Sequence, residues 1–499
     1  MGMSPMPFEN DTKVYGTGIR TWQFLKPLLS GGHQVCVCNY AIPSAYANDF
    51  ASIFQKDFEV KDSKNGTARQ SGKTNLPCNF DYNILTADDF ENIELIKKLY
   101  TDFEPDCIIG CSFYPSYIAS RLASYLENEN QAGSARMPLW ADLFGHVMAE
   151  AQARAFADDD DGCLFHYWNS EYNIITTADI FSCVSDRQKY ALAGELGAAG
   201  RLNKYTSGYE FAHTIACGMP PEEFIHTKNV IRGAGGVDKE DFVILWTGGY
   251  NTWTDVDTLF KGLEKAMKTN PYIKFVSTGG EIPEQDTKTY PRFLSMIENS
   301  GFRNNFIMRG WIAGEDVPNY YFEADAGINI DKDIYEVRLG SKNRILDWMR
   351  AGLTVLSSNV CELTEIIERE KIGYTFKPQD VQDLAGKILY LAKNRDEAAS
   401  RAEAAKKYGF EHFSFEATTK ALAEWAGMPF FAPDYRKERK IFFDREEALK
   451  NLQSISARQN EMIRQRDLKI SELSMQVHKS PAFRLYAYLK AAAKIFRKK

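Results

Sequence analysis

The 499-residue chain has no run of about 18 consecutive apolar residues, and no basic stretch followed by an apolar one opens it. A membrane-spanning or secreted protein is therefore not expected. It has no Cys-x-x-Cys pair, and its nine cysteines, at positions 36, 38, 78, 107, 111, 163, 183, 217 and 361, are scattered and odd in number. That usage suits reduced thiols in a cytosol better than a disulfide framework. Cations are in deficit, because 60 Lys and Arg against 67 Asp and Glu leave a net charge of −7. A protein that binds nucleic acid with its whole surface usually carries the opposite sign, so no nucleic-acid partner is expected. Internal repeats are missing, and the four aspartates at 158–161 read as a solvated acidic loop.

What is present is an ordinary globular composition, 44% hydrophobic and 25% charged, in a chain long enough for two substantial domains and an appendage. Short apolar runs at 33–39, 106–110, 138–142, 180–185, 243–246, 274–277, 306–309, 326–330, 354–356 and 373–376 alternate with helix-periodic stretches such as 317–323, 341–350 and 381–392. This alternation predicts α/β architecture, parallel sheets with helices on both faces. A Gly- and Pro-containing stretch at 217–237 interrupts the rhythm, which restarts at Phe242 and marks a domain boundary. One last globular helix is expected at 415–426, ended by the Pro-containing segment 427–434. The opening Met-Gly-Met-Ser-Pro-Met-Pro reads as the end of a strand with too few residues before it to make that strand, which suggests a start further upstream.

Three stretches have the residue types for ligand chemistry. Gly16-Thr-Gly18-Ile-Arg20 opens a predicted helix, where free N–H groups and the positive dipole end suit a phosphate. A glycine turn of this kind also serves structure without any ligand. Trp246-Thr-Gly248-Gly249-Tyr250 follows a predicted strand, the place where α/β sheets open their ligand crevice. In the third stretch, Arg338, Lys342 and Arg344 gather at a predicted helix start, positive charge and donors together, as a diphosphate requires. Asp347, three residues beyond Arg344, could accept both hydroxyls of a ribose, or form a plain i,i+3 surface ion pair. Asp142, at a predicted strand end, could serve an acceptor hydroxyl. His146 and Glu150 would share one helix face nearby, and no second His or Cys stands at ligand spacing, so no metal site is expected.

These residues support a resemblance. Residues 240–395, with Gly310-Trp311, the run ADAGIN at 324–329, SKNRILDWMRAGLTVLSS at 341–358 and ELTEIIEREKIGYTFKPQD at 362–380, resemble the donor-binding domain of GT-B glycosyltransferases. The resemblance is to the large retaining, group 1 type family that includes bacterial surface-polysaccharide sugar transferases. GTGIRTWQFLKPLLSGGHQVCVC at 16–38, NIITTADIFSCVSDRQ at 173–188 and IACGMPPEEF at 215–224 resemble its first half. The resemblance implies two Rossmann-like domains facing a cleft: an acceptor domain at 1–225, a donor domain at 236–410 and a crossover helix at 411–430. It implies transfer of a sugar from a nucleoside diphosphate donor to a hydroxyl of a glycan or lipid-linked acceptor, with retention and without a cofactor. Asp347 takes the ribose-binding position and Glu336 that of the acid addressing the donor sugar. Lys342 and Arg344 would hold the diphosphate, with Arg338, Arg20, Gly16, Gly18, Gly248 and Gly249 around it, while Asp142 and His146 join Glu336 as expected catalytic residues. The chain departs from the family in having ten residues between its two acids instead of seven, and in lacking the basic pair after the first donor-domain strand. Rival readings are a catalytically silent GT-B scaffold and a sugar-nucleotide epimerase.

The C-terminal stretch differs in character. Positions 449, 452, 456, 459, 463, 466, 470, 473 and 477 follow 3,4 spacing, six of them apolar, which allows a short coiled coil and a homo-oligomer or else a lone surface helix within 440–479. Residues 480–499 carry six cations and no acid, with Leu485, Leu489, Ala492 and Phe496 on one helical face. A basic amphipathic tail of this type seeks an anionic membrane surface, placing the protein on the inner face of the plasma membrane.

Overall fold

The computed structural model describes residues 1–9, 12–46, 80–129, 136–233, 236–283, 285–437 and 440–496. Cys78, the tail cations Arg497, Lys498 and Lys499, and the side chains of Ala492, Lys494 and Phe496 lie outside the described residues. Residues 1–435 form one compact unit and residues 436–499 a second.

In the first unit every pairing between named strands is parallel. The first seven strands are β1 (Gly2–Ser4), β2 (Val35–Ala41), β3 (Phe80–Leu85), β4 (Ile108–Gly110), β5 (Leu139–Leu143), β6 (Ile180–Cys183) and β7 (Ala212–Thr214). They run in the orders β1-β2-β3 and β4-β5-β6-β7. The Met1 ammonium donates to Ile109 O at 2.8 Å and Cys111 N donates to Met1 O at 2.9 Å, which joins β1 to β4. Gly2–Ser4 thus forms a strand with the residues at hand, in register with Asn39–Ala41, against the expectation that too few were present.

The other six strands are β8 (Phe242–Thr247), β9 (Ile273–Thr278), β10 (Phe306–Met308), β11 (Ala326–Asn329), β12 (Thr354–Ser358) and β13 (Tyr374–Phe376), ordered β10-β9-β8-β11-β12-β13. All six residues of β8 are buried, as in a sheet covered on both faces. The order reverses direction between β8 and β11, and a crevice opens beyond the carboxyl ends of strands at such a switch point. Among the described residues of 215–241 there is no named helix or strand.

The helix expected over 415–426 is two helices, Phe415–Thr418 and Lys420–Gly427. The hydroxyls of Thr418 and Thr419 both donate back to Phe415 O, at 3.2 and 2.7 Å, competing with the helical ladder at the break. Leu422 and Trp425 bury against Phe24 and Trp140 of the first half. The second unit contains the helices Lys440–Lys479 and Pro481–Phe496. Among the described residues no helix is long and apolar enough to cross a membrane.

Candidate functional site

The loop leaving β8 needs its glycines. Gly248 has φ +88°, a Cβ on Gly249 would stand 2.4 Å from Ile282, and one on Gly279 would stand 1.8 Å from Gly248 O. Two glycine turns therefore pack backbone to backbone at the ends of β8 and β9. Trp246, stacked on Tyr250 with centroids 4.7 Å apart, forms the floor. Over its ring, at 4.0 Å from the centroid, lies the guanidinium of Arg344, which arrives from the helix Asn343–Ala351. Its Nη2 donates to Gly249 O at 3.3 Å, and its buried Nη1 has no hydrogen-bond partner. Burial lowers the Arg344 pKa. A cation is thus present at the β8 loop although the loop's own sequence has none.

A second group of charges stands beyond β11. Asp331 Oδ2 accepts from Asn329 Nδ2 at 2.8 Å, and Asp331 N donates to Ser358 Oγ at 3.0 Å. Lys342 Nζ lies 3.7 Å from Asp331 Oδ2, 3.9 Å from Glu336 Oε2 and 5.5 Å from the Trp253 ring centroid. Burial alone would lower the Lys342 pKa, but Asp331 and Glu336 hold it above its ordinary value. Glu336 Oε2 is buried without a hydrogen-bond partner. Burial raises this carboxyl to about 7, Lys342 opposes the rise, and Asp331 and Glu150 add to it. Burial also raises the Asp347 carboxyl to about 6, with Arg350 opposing.

The first half supplies the opposite wall. A Cβ on Gly16 would meet Asn343 Nδ2 at 3.1 Å, so the turn before the helix Gly16–Ser30 comes against the start of the helix Asn343–Ala351. Tyr15 meets Trp311 edge to face at 6.2 Å, and Lys13 stands 5.7 Å from the same ring. Ser185, after β6, donates through Oγ to Leu339 O at 2.6 Å and so ties down the short helix Tyr335–Leu339 that presents Glu336.

Residues 241–394 match a family model described as glycosyl transferases group 1. No curated protein sequence matches the chain. Among solved structures, HepE of Anabaena in complex with UDP-glucose superimposes with a TM-score of 0.59 at 14% identity, covering 84% of this chain and 98% of its own. The sucrose-phosphate synthase of Thermosynechococcus elongatus gives 0.57 at 15% identity, over 82% of this chain and 92% of its own. WaaG, a glycosyltransferase involved in lipopolysaccharide biosynthesis, gives 0.51 at 13% identity, over 85% and 98%. The fold is GT-B. The family match is confined to residues 241–394, the segment that holds the six-stranded sheet β8–β13.

Within this GT-B frame several expected site residues have other work. Asp142 and Arg20 do not face the crevice; both are fully buried and bound to each other. Asp142 Oδ1 accepts from Arg20 Nη2 at 2.7 Å and Ser182 Oγ at 2.6 Å, and Oδ2 accepts from Arg20 Nε at 3.0 Å and Ser112 N at 3.1 Å. A carboxylate occupied on both oxygens has no lone pair free for an acceptor hydroxyl, and Arg20 has no charge to spare for a phosphate. Arg338 is exposed and paired with Asp333 at 2.6 Å, away from Lys342 and Arg344. Gly18 is required by packing, since a Cβ there would stand 2.0 Å from Pro5 O.

His146 does not share a helix face with Glu150. It is the N-cap of the helix Val147–Asp158, where Nδ1 accepts from Ala149 N at 3.3 Å, and its Nε2 lies 3.0 Å from Glu195 Oε1. With Glu171 these groups offer ligand-type atoms within 4.8 Å of one another, a cluster from three helices that sequence spacing did not reveal. Burial and the Glu195 charge raise the Glu171 carboxyl to about 8. His146 also lines a cavity of about 930 Å³ together with Tyr335 and Leu339. Asp331 and Asn343 are the crevice residues the sequence reading left without a role; the position of Asp331 directly after a buried strand was the signal available.

Proposed function

We propose that the chain transfers a hexosyl group, with retention of configuration, from a nucleoside diphosphate sugar to a hydroxyl of a glycan or glycolipid acceptor in bacterial surface-polysaccharide synthesis. The observation that carries this reading is the buried Arg344 Nη1, without a partner, beside the Gly248–Gly249 turn. A buried cationic donor left unpaired is costly unless an anion completes it. Arg344 and Lys342 would take the diphosphate, with Gly16 close by across the crevice. The bound complexes of HepE with UDP and UDP-glucose support a uridine donor as the first to try.

Asp347 would accept the ribose hydroxyls in its ionised form. Glu336, whose carboxyl burial raises to about 7, is part protonated near neutral pH, and in that form it can donate a hydrogen bond to a donor-sugar hydroxyl. Positioning and stabilisation of the departing diphosphate would do most of the catalysis. This reading assigns no cofactor or metal, because Lys342 and Arg344 supply the countercharge. His146 has both ring nitrogens engaged, by Ala149 N and by Glu195, so this reading gives it no acceptor-side role. The basic helix after Pro481 would bring the protein to the cytoplasmic face of an anionic membrane, where a lipid-linked acceptor is found.

The test is a thermal melt against UDP, GDP, ADP, TDP and CMP. A nucleotide at about 100 times its dissociation constant adds roughly 2.7 kcal/mol to the domain it binds. A shift with one nucleotide, lost in Asp347→Ala, is expected. No shift with any of the five would transfer the reading to a silent GT-B scaffold.

A further inference from the structure

The helix Lys440–Lys479 has 40 residues, about 60 Å at ~1.5 Å per residue. Along it Leu449, Leu452, Ile463, Ile470, Leu473 and Val477 share one seam at 3,4 spacing, and each is 49–63% exposed. The helix Pro481–Phe496 meets it at the junction, where Phe483 packs on His478 with ring centroids 4.4 Å apart, and leaves the seam bare. A long helix in water draws most of its stability from packing an apolar face, so this seam calls for an occupant.

We infer that the occupant is the same seam of a second copy of this chain, in a parallel, in-register coiled coil. Three observations favour that partner. The 440–479 segment carries eight Lys and Arg against six Asp and Glu, a near balance that gives an anionic lipid surface little hold on it. The 3,4 spacing is maintained from 449 to 477, which is the pattern that fits its own copy knob into hole. The polar seam positions Ser456, Gln459 and Arg466 select the register. In parallel alignment six apolar layers each meet their own kind and the polar residues meet each other. A slip of one heptad sets Ser456 against Leu449, Gln459 against Leu452 and Arg466 against Leu473. The antiparallel arrangement that keeps Leu449 opposite Leu473 sets Gln459 against Ile463. Burying a polar group against an apolar one costs more than pairing it with a polar one. The Arg466 stems can carry their charges to the edge of the seam, beside Asp467.

Parallel pairing sends both Pro481–Phe496 helices out of the same end of the coil. Two weak membrane anchors then act on one surface, and the second binds at high effective concentration. This consequence rests on the membrane reading proposed above; the pairing itself does not.

The full-length chain is tested by light scattering during gel filtration, where twice the 56.7 kDa chain mass is expected. The double variant Leu452→Lys, Ile470→Lys should run as a monomer with its nucleotide-dependent melt unchanged. Orientation follows from a short amine crosslinker on mixed light and heavy-isotope protein. Parallel pairing links Lys450 to Lys450 and Lys469 to Lys469 of two chains. Lys450 and Lys469 of one helix are about 28 Å apart, beyond a short linker, so a link between those two positions reports antiparallel pairing. A monomeric full-length chain, or Lys450–Lys469 links, overturns the inference. Sedimentation with vesicles containing anionic lipid separates the two readings. The double variant should bind about a hundredfold more weakly than the parent. A dimer whose parent and variant both ignore the vesicles leaves the pairing standing and removes the membrane role.

Discussion

Replacing Arg344 by methionine should act on folding and on ligand binding in opposite directions. The side chain lies 4.0 Å over Trp246, donates one long bond to Gly249 O and leaves Nη1 buried without a partner. Methionine keeps an unbranched stem on the indole and removes the charge. The losses are the cation–π contact, about 1–2 kcal/mol, and one hydrogen bond of about 1 kcal/mol. The gain is relief of a buried, incompletely solvated charge, several kcal/mol before relaxation. These terms nearly cancel, so the melting temperature of the ligand-free protein should stay within a few degrees of the parent or rise. Binding of UDP loses one or two charge-assisted bonds to phosphate at ~1.5–3 kcal/mol each, hence about tenfold to twenty-thousandfold in affinity. Calorimetric titration with UDP and a melt of the free protein read both quantities. A clear fall in the free protein's melting temperature with UDP affinity unchanged would make Arg344 a packing residue and refute the argument.

Asp142→Asn strands the Arg20 charge in the core and should cost about 3–5 kcal/mol of stability while leaving the nucleotide-dependent shift in place, as a melt with and without UDP will show. Gly18→Ala drives a Cβ toward Pro5 O and should cost about 1–3 kcal/mol, whereas Gly16→Ala, facing Asn343, should spare stability and weaken UDP. The raised Asp347 pKa predicts UDP affinity that climbs as pH rises through about 6 and then levels off, a profile that Asp347→Asn should flatten. Because the folded state retains that proton above the ordinary carboxylate range, Asp347 lowers the free protein's stability as pH rises from about 4 to 6. The same variant should remove that slope from a pH series of melts. Asp331→Asn should loosen Lys342 and lower its pKa, weakening UDP most at alkaline pH.

Periodicity alone determined the architecture, because a parallel strand buried on both faces must be written as a short, nearly continuous apolar run. All ten runs read from the sequence are strands, and Val317–Glu323 is a helix with the bounds its pattern predicts. The edge strand β3 escaped that reading, since its FDYNIL sequence is only partly buried and lacks such a run. The crossover escaped in part, since the back-bonding of Thr418 and Thr419 breaks a helix that spacing alone would continue. Gly248, Gly249, Lys342, Arg344 and Asp347 could be singled out as candidates because glycines after a strand, and cations and an acid at a helix start, are local patterns.

Partnership between distant residues was decided by the tertiary structure. Arg20 and Asp142 are 122 positions apart and look like site residues until the fold closes one upon the other. His146 meets Glu195 and Glu171 only because three helices converge, and Gly16 meets Asn343 only because the two halves face each other. A sequence records which groups can carry charge and which backbones can turn tightly. Whether a charge is spent inside the protein or left for a ligand depends on what packs against it, and that depends on the whole fold.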